Sequence, residues 1–200
     1  GFENFGYFSA RDFDPDSWRG EYPNPAFSRM TERDGAWAAR IIARFTAEHV
    51  KAAVRTGDFT DPRHTAYLTN VLLMRQYIVL GRYFSKLSPL TDVRVDGRRV
   101  CAADLAHRTG IFTKSSFHYS AAIARAGGSA GPAAVQSAEN SEVCVDLGPP
   151  SLPSSLPANA AERYVIVRVN NGAAPGPLLI HLYDLGTQGP RVVALERPDH

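Results

Sequence analysis

The sequence predicts an α+β protein: a three-helix cluster with an extended aromatic N-terminal arm, followed by a mainly antiparallel β-domain. Three observations predict it. Apolar residues recur at intervals of three and four between Thr31 and Ser88; Val, Leu, Ile and Tyr crowd three short runs in the last forty residues; and the first 27 residues are dense in aromatics yet follow neither a helical nor a strand period. The corresponding division is an arm over 1–30, a helical domain over 31–90, and a β-rich domain over 91–200 that includes Gly/Ala and Pro/Ser loops.

The arm holds Phe2, Phe5, Tyr7, Phe8, Phe13, Trp18, Tyr22 and Phe27, eight of the twenty aromatics in the chain. Pro15, Pro23 and Pro25 keep it extended or turning. Segments that stay disordered are poor in such residues, so the arm is expected to pack, on its own helices or on a partner, and these eight residues are the candidate contact surface.

The first helix is predicted over Thr31 to Phe45, with Thr31 and Asp34 in capping-box spacing and Trp37, Ile41 and Phe45 on one face. Arg33, Arg40 and Arg44 read as a solvated face. Thr46 is the N-cap of a second helix that carries Val50, Ala53 and Val54 inward and stops at Gly57. The third and longest runs from Asp61 to Leu90: Asp61 caps it, Pro62 suits its first turn, and Tyr67, Val71, Met74 and Ile78 form its stripe before Pro89 ends it. Trp37, Ile41, Phe45, Val71, Met74 and Ile78 are expected to make one core.

Beyond Pro89, Val93, Val95 and Val100 flank Asp96-Gly97 as a hairpin. Cys101 to Arg108 reads as a short helix closed by Gly110, Ser115 to Ala126 as a strand, and Val143 to Leu147 as a strand carrying Cys144. Gly127 to Ala138 and Gly148 to Ala161 read as loops. Arg163 to Asn170, Pro177 to Asp184 and Arg191 to Glu196 are strands, the first expected to be central with the others flanking it.

With 22 basic and 20 acidic residues the formal charge is only +2, so no strong field favours nucleic acid or anionic lipid. No apolar run reaches the roughly 18 residues of a membrane helix. Cys101 and Cys144 have no CxxC spacing, and two readings stand: a disulfide, or two buried free thiols.

Motifs that carry chemistry are few. Gly127-Gly128-Ser129-Ala130-Gly131 matches the nucleophile-elbow pattern, with Asp146 or Asp184 and His181 or His200 in the order of hydrolase partners. The pattern requires a strand before it, a helix after it and a parallel sheet around it, so a Gly/Ala linker is the better reading of the stretch. Asp12, Asp14 and Asp16 open like a calcium loop, but Ser17 and Pro23 occupy the positions of the required Gly and Glu, which leaves a turn or cap. Cys101, Asp104 and His107 share a helical spacing without a fourth ligand. No catalytic, cofactor-binding or metal-binding residue is assigned, and no cofactor is expected.

At Tyr22-Pro23-Asn24-Pro25-Ala26-Phe27, Ala36-Trp37-Ala38-Ala39-Arg40-Ile41-Ile42 and Gly57-Asp58-Phe59-Thr60-Asp61-Pro62 the chain resembles the C-terminal part of long, exported, uncharacterised proteins of myxobacteria-like bacteria. The resemblance spans approximately residues 10 to 90 and, more loosely, the β end. It implies a bacterial chain that is a piece of a longer exported protein, located in the periplasm, at the outer membrane or outside the cell, whose upstream region resembles a kinase-like fold. Export in turn favours a Cys101–Cys144 disulfide.

The expected function is a non-catalytic structural or interaction module of such a protein, taking a protein partner or an upstream domain. The alternative is the C-terminal helical lobe of a kinase-like phosphotransferase; a remote alternative is a serine hydrolase using Ser129.

Overall fold

The computed structural model describes residues 5–6, 8–126, 128–138, 140–150, 160–173 and 176–198. Phe2 and Tyr7 of the candidate contact surface, Gly127, His200 and most of the Pro/Ser stretch lie outside the described residues. The architecture is α+β, and the chain divides into two units, Gly1–Tyr83 and Phe84–His200.

Helices dominate the first unit. Within the arm, one turn, α1 (Pro25–Ser28), forms because the Asn24 side chain accepts from the Ala26 N–H and Pro25 fits the first helical position. Helix α2 (Glu32–Ile42) is opened by a complete capping box in which Thr31 and Asp34 exchange hydrogen bonds. Helix α3 (Ala47–Arg55) has the same device, with Thr46 and His49 as its reciprocal partners. Helix α4 (Pro62–Phe84) begins where Asp61 accepts from the Arg63 N–H at 2.9 Å. It stops five residues short of Pro89, so the run predicted to reach Leu90 is shorter.

The predicted helical core is a misreading of which stripe faces inward. Trp37, Ile41, Phe45 and Met74 are exposed, by 61%, 41%, 54% and 54%, and of the six expected core residues Val71 alone is fully buried. The buried face of α2 is instead Gly35, Ala36 and Ala39. A Cβ on Gly35 would lie 2.1 Å from Cε1 of Tyr83, so the ring of Tyr83 rests directly on the α2 backbone. Gln76 ties α4 to the end of α2 by donating to the carbonyls of Ile42 and Phe45 at 2.9 and 2.7 Å. Small residues let backbones approach, and the large apolar residues one step round the helix are left outside.

The second unit is a sandwich of two antiparallel sheets. One has the order β1 (Leu90–Asp96), β2 (Arg99–Asp104), β6 (Glu142–Asp146), β5 (Val135–Ala138); the other has the order β4 (Gly131–Ala133), β3 (Ser120–Arg125), β7 (Tyr164–Asn170), β8 (Leu178–Asp184), β9 (Pro190–Glu196). Their inner faces meet in one core that includes Val100, Val145, Val167, Leu178, Ile180 and Leu182. The Asp96-Gly97 hairpin forms as expected, with Val95 opposite Val100 and Gly97 at φ +60°.

Four expectations change here. Cys101 to Asp104 is not helical: it is the buried end of β2, and only Leu105–Arg108 turns, as α5, with the Asp104 side chain capping it. Pairing on both sides of β2 outweighs the helical preference of its alanines. Gly127 to Ala138 is no simple loop, because β4 pairs with β3 and β5 with β6, so the chain crosses from one sheet to the other at Ala134. Ser115 to Ala126 is a strand only from Ser120 to Arg125 and is preceded by a short turn of helix at Lys114–Ser116. Finally, β7 is interior as expected, but its neighbours are β3 and β8, with β9 beyond β8.

Cys101 and Cys144 face each other across β2 and β6, 4.0 Å apart at Cα and bonded through sulfur at 2.10 Å.

Candidate functional site

Pro15, Pro23 and Pro25 deny the arm a regular period, and local caps fold it instead. Asp14 accepts from the Asp16 N–H at 3.0 Å, which closes an Asx-turn where the sequence mimics a calcium loop; that hydrogen bond is the main cause holding the Asp14 carboxyl below its ordinary range.

The six of the eight predicted contact aromatics that lie among the described residues divide by position. Phe5 packs against Phe59, His64 and Tyr67, with ring centroids 5.6, 5.5 and 5.3 Å away. Phe8 and Phe13 hold the guanidinium of Arg75 between them at 4.1 and 4.5 Å, while Arg75 donates to the Ser9 carbonyl at 2.9 Å and Tyr67 to the Phe8 carbonyl at 3.2 Å. These three rings are therefore spent on α4. Trp18, Tyr22 and Phe27 are not: they remain 46%, 81% and 58% exposed.

Those three rings border a cleft of 530 Å³ between the arm, the start of α2 and the last turns of α4. Trp18 meets Phe27 edge-on with centroids 5.6 Å apart, and Phe13, Pro15, Pro23, Met30, Val79 and Tyr83 add to the apolar lining. The electrostatic centre is Arg82. Its Nε donates to Asp16 at 2.6 Å, and its two terminal nitrogens donate to Glu32 at 3.1 and 2.5 Å. These bonds, those to Glu32 first, raise the guanidinium above its usual range, and burial raises the Tyr83 phenol beside it. One cation thus anchors both arm and α2 to α4 and commits both carboxylates. Arg82 carries no signal in the sequence, because its partners lie 66 and 50 residues away.

A smaller cavity of 120 Å³ in the sandwich unit brings together Asp104, His107, Tyr119 and Ser141. Ser141 Oγ lies 2.8 Å from His107 Nδ1, and Tyr119 donates to Asp104 at 2.8 Å. Burial first, and then the Asp104 charge, push the Tyr119 phenol well above its ordinary range. The pair does not make a catalytic triad. The second Asp104 oxygen accepts from the His107 backbone N–H at 3.1 Å and not from its imidazole, while the Ser141 N–H is already given to Ala138 at 3.2 Å. Ser141, at φ +62°, is a turn residue joined to a helix cap.

Ser129 is exposed, and the chain after it enters β4 where an elbow requires a helix. His181 lies far from that role: it is stacked on Tyr164, accepts from or donates to the Tyr164 hydroxyl at 2.5 Å, and faces Glu196 at 3.3 Å. Asp184 is held by both terminal nitrogens of Arg98 at 2.7 and 2.8 Å. Among the described residues the one group of clustered metal-ligand atoms is Cys101, Glu142 and Cys144, and its two sulfurs are bonded to each other. No described helix is long and apolar enough to cross a membrane.

No family model, curated protein or solved structure matches the chain.

Proposed function

We propose that this chain is a non-catalytic interaction module of an exported bacterial protein and that it engages a protein partner through the helical unit. One observation carries the reading: of the eleven large hydrophobic residues exposed among the described residues, nine lie between Trp18 and Tyr77 and two in β9. Isolated exposed apolar residues are ordinary, but such a concentration on one unit marks a surface that works by being covered. Export is supported by the bonded Cys101–Cys144 pair, which oxidising compartments preserve.

A photo-crosslinking residue placed at Tyr22 or at Trp37 tests the reading in an extract of the source cells. Both positions are expected to yield protein adducts that Lys51, an exposed residue of α3, does not. Adducts no more frequent than those from Lys51 would remove the module reading. Mass analysis after alkylation tests the export part: the unreduced protein from its source should take up no alkyl groups, and two modified thiols would refute it.

A further inference from the structure

Granting that the helical unit is an interaction module, we propose that the cleft at Trp18, Tyr22 and Phe27 binds a proline-rich segment of the partner in the polyproline II conformation. The argument starts from what the cleft still has to offer. Its walls are aromatic faces, and three of them stand open to solvent. Its carboxylates, Asp16 and Glu32, are both ion-paired to Arg82.

Four side chains of the cleft offer donors. Trp18 has its indole N–H and Tyr22 its hydroxyl, neither with a protein partner among the described residues. Asn24 uses its oxygen to cap α1 and keeps its amide N–H groups. Arg19 gives one terminal nitrogen to the carbonyls of Asp16 and Trp18, at 2.9 and 2.8 Å, and retains its remaining N–H groups and full charge.

Aromatic planes and uncommitted donors, around Arg19, Arg82, Asp16 and Glu32 whose formal charges cancel, favour an uncharged ligand rich in acceptors. A helical ligand has spent its carbonyls internally. A polyproline II segment matches every term: its rings lie flat on aromatic faces, it carries few N–H donors, and its carbonyls point outward with no internal partner. It is also ordered before binding, which lowers the entropy cost at an open surface.

The test titrates a ten-residue all-proline peptide into the protein, following the Trp18 indole resonance, with a Gly/Ser peptide of the same length as control. Saturable binding in the micromolar range is expected for the proline peptide alone. Tyr22→Ala should weaken it by about tenfold or more, and because Tyr22 is the most exposed ring the variant keeps its fold. Tyr22→Phe, which removes only the hydroxyl donor, should weaken it by about threefold, and Lys51→Ala, outside the cleft, should leave it unchanged. No saturation at millimolar peptide, equal binding of the Gly/Ser peptide, or saturable binding of an oligosaccharide such as xylohexaose in its place would overturn the proposal. Protein adducts at Tyr22 without proline-peptide binding would overturn the ligand class and leave the module reading standing; the absence of both would overturn both.

Discussion

The two units handle the same kind of residue in opposite ways. In the sandwich unit both sheets send inward-facing residues into a shared core, and Val167, Leu178 and Leu182 have no exposure at all. In the helical unit the fully buried positions of α2 are small, and the long apolar side chains stand outside. The sandwich buries its hydrophobic surface against itself. The helical unit buries Val54, Val71, Leu80 and Tyr83 and is tied further by Arg75 between two rings and Arg82 between two carboxylates, yet it leaves nine large apolar side chains exposed to serve as a surface.

If that contrast is right, the largest loss should come from the sandwich core. Ile180→Ala, at a residue 1% exposed, should cost about 2 to 5 kcal/mol of unfolding free energy. Denaturant unfolding followed by β-sheet circular dichroism checks it; a loss below about 1 kcal/mol would show that the sheets are not packed as a core.

Next should come Gly35→Ala. The added methyl collides with the Tyr83 ring, and overpacking of this kind costs about 1 to 3 kcal/mol. Both tryptophans of the chain lie in the helical unit, so indole fluorescence reads its unfolding directly. An unchanged midpoint would mean that α2 and α4 do not meet through this glycine.

The third test concerns the ion pair of Arg98 and Asp184. Hydrogen bonds from Arg98, opposed by burial and aided by the Gly186 N–H, hold the Asp184 carboxyl below its ordinary value. A carboxyl that is more acidic folded than unfolded contributes its full stability above the unfolded value of about 3.9 and loses it as pH falls through the folded value. The sandwich unit should therefore weaken below about pH 4. Asp184→Asn should lose stability at pH 7 and show a flatter slope across that acid range, which unfolding curves at pH 7 and pH 3 compare. An unaltered slope would show that the pair is not coupled to folding.

Local chemistry was legible in the sequence wherever a few neighbouring residues decide the outcome. Thr31 with Asp34, Thr46 at α3 and Asp96-Gly97 all form the structures their spacing implies, because caps and tight turns are settled within four residues. Choices among faces and partners were not legible. The 37/41/45 stripe and the 35/36/39 stripe both follow a helical period, and only the nearness of Tyr83 makes the smaller one the inner one. The crossing at Ala134 was hidden for a similar reason: a Gly/Ala-rich stretch looks flexible until β3 and β6 pair with it from different sheets. As for the cleft, its aromatics were visible and its organiser, Arg82, was not.

The smallest expected effect is the most discriminating. Trp37 and Met74 have the periodicity of core residues, and as core residues each would lose about 2 to 5 kcal/mol on truncation to alanine. They are instead 61% and 54% exposed, where removal deletes few contacts and leaves no cavity. Trp37→Ala and Met74→Ala should each change stability by no more than about 0.5 kcal/mol, with Trp18 reporting the helical unit in the first variant. Because truncating a covered anchor does weaken association, the same substitutions should impair partner binding while leaving the isolated chain as stable as before. A loss of 2 kcal/mol or more in the isolated chain would place both side chains in a core after all, and would remove the basis for treating the outer face of the helices as a surface for a partner.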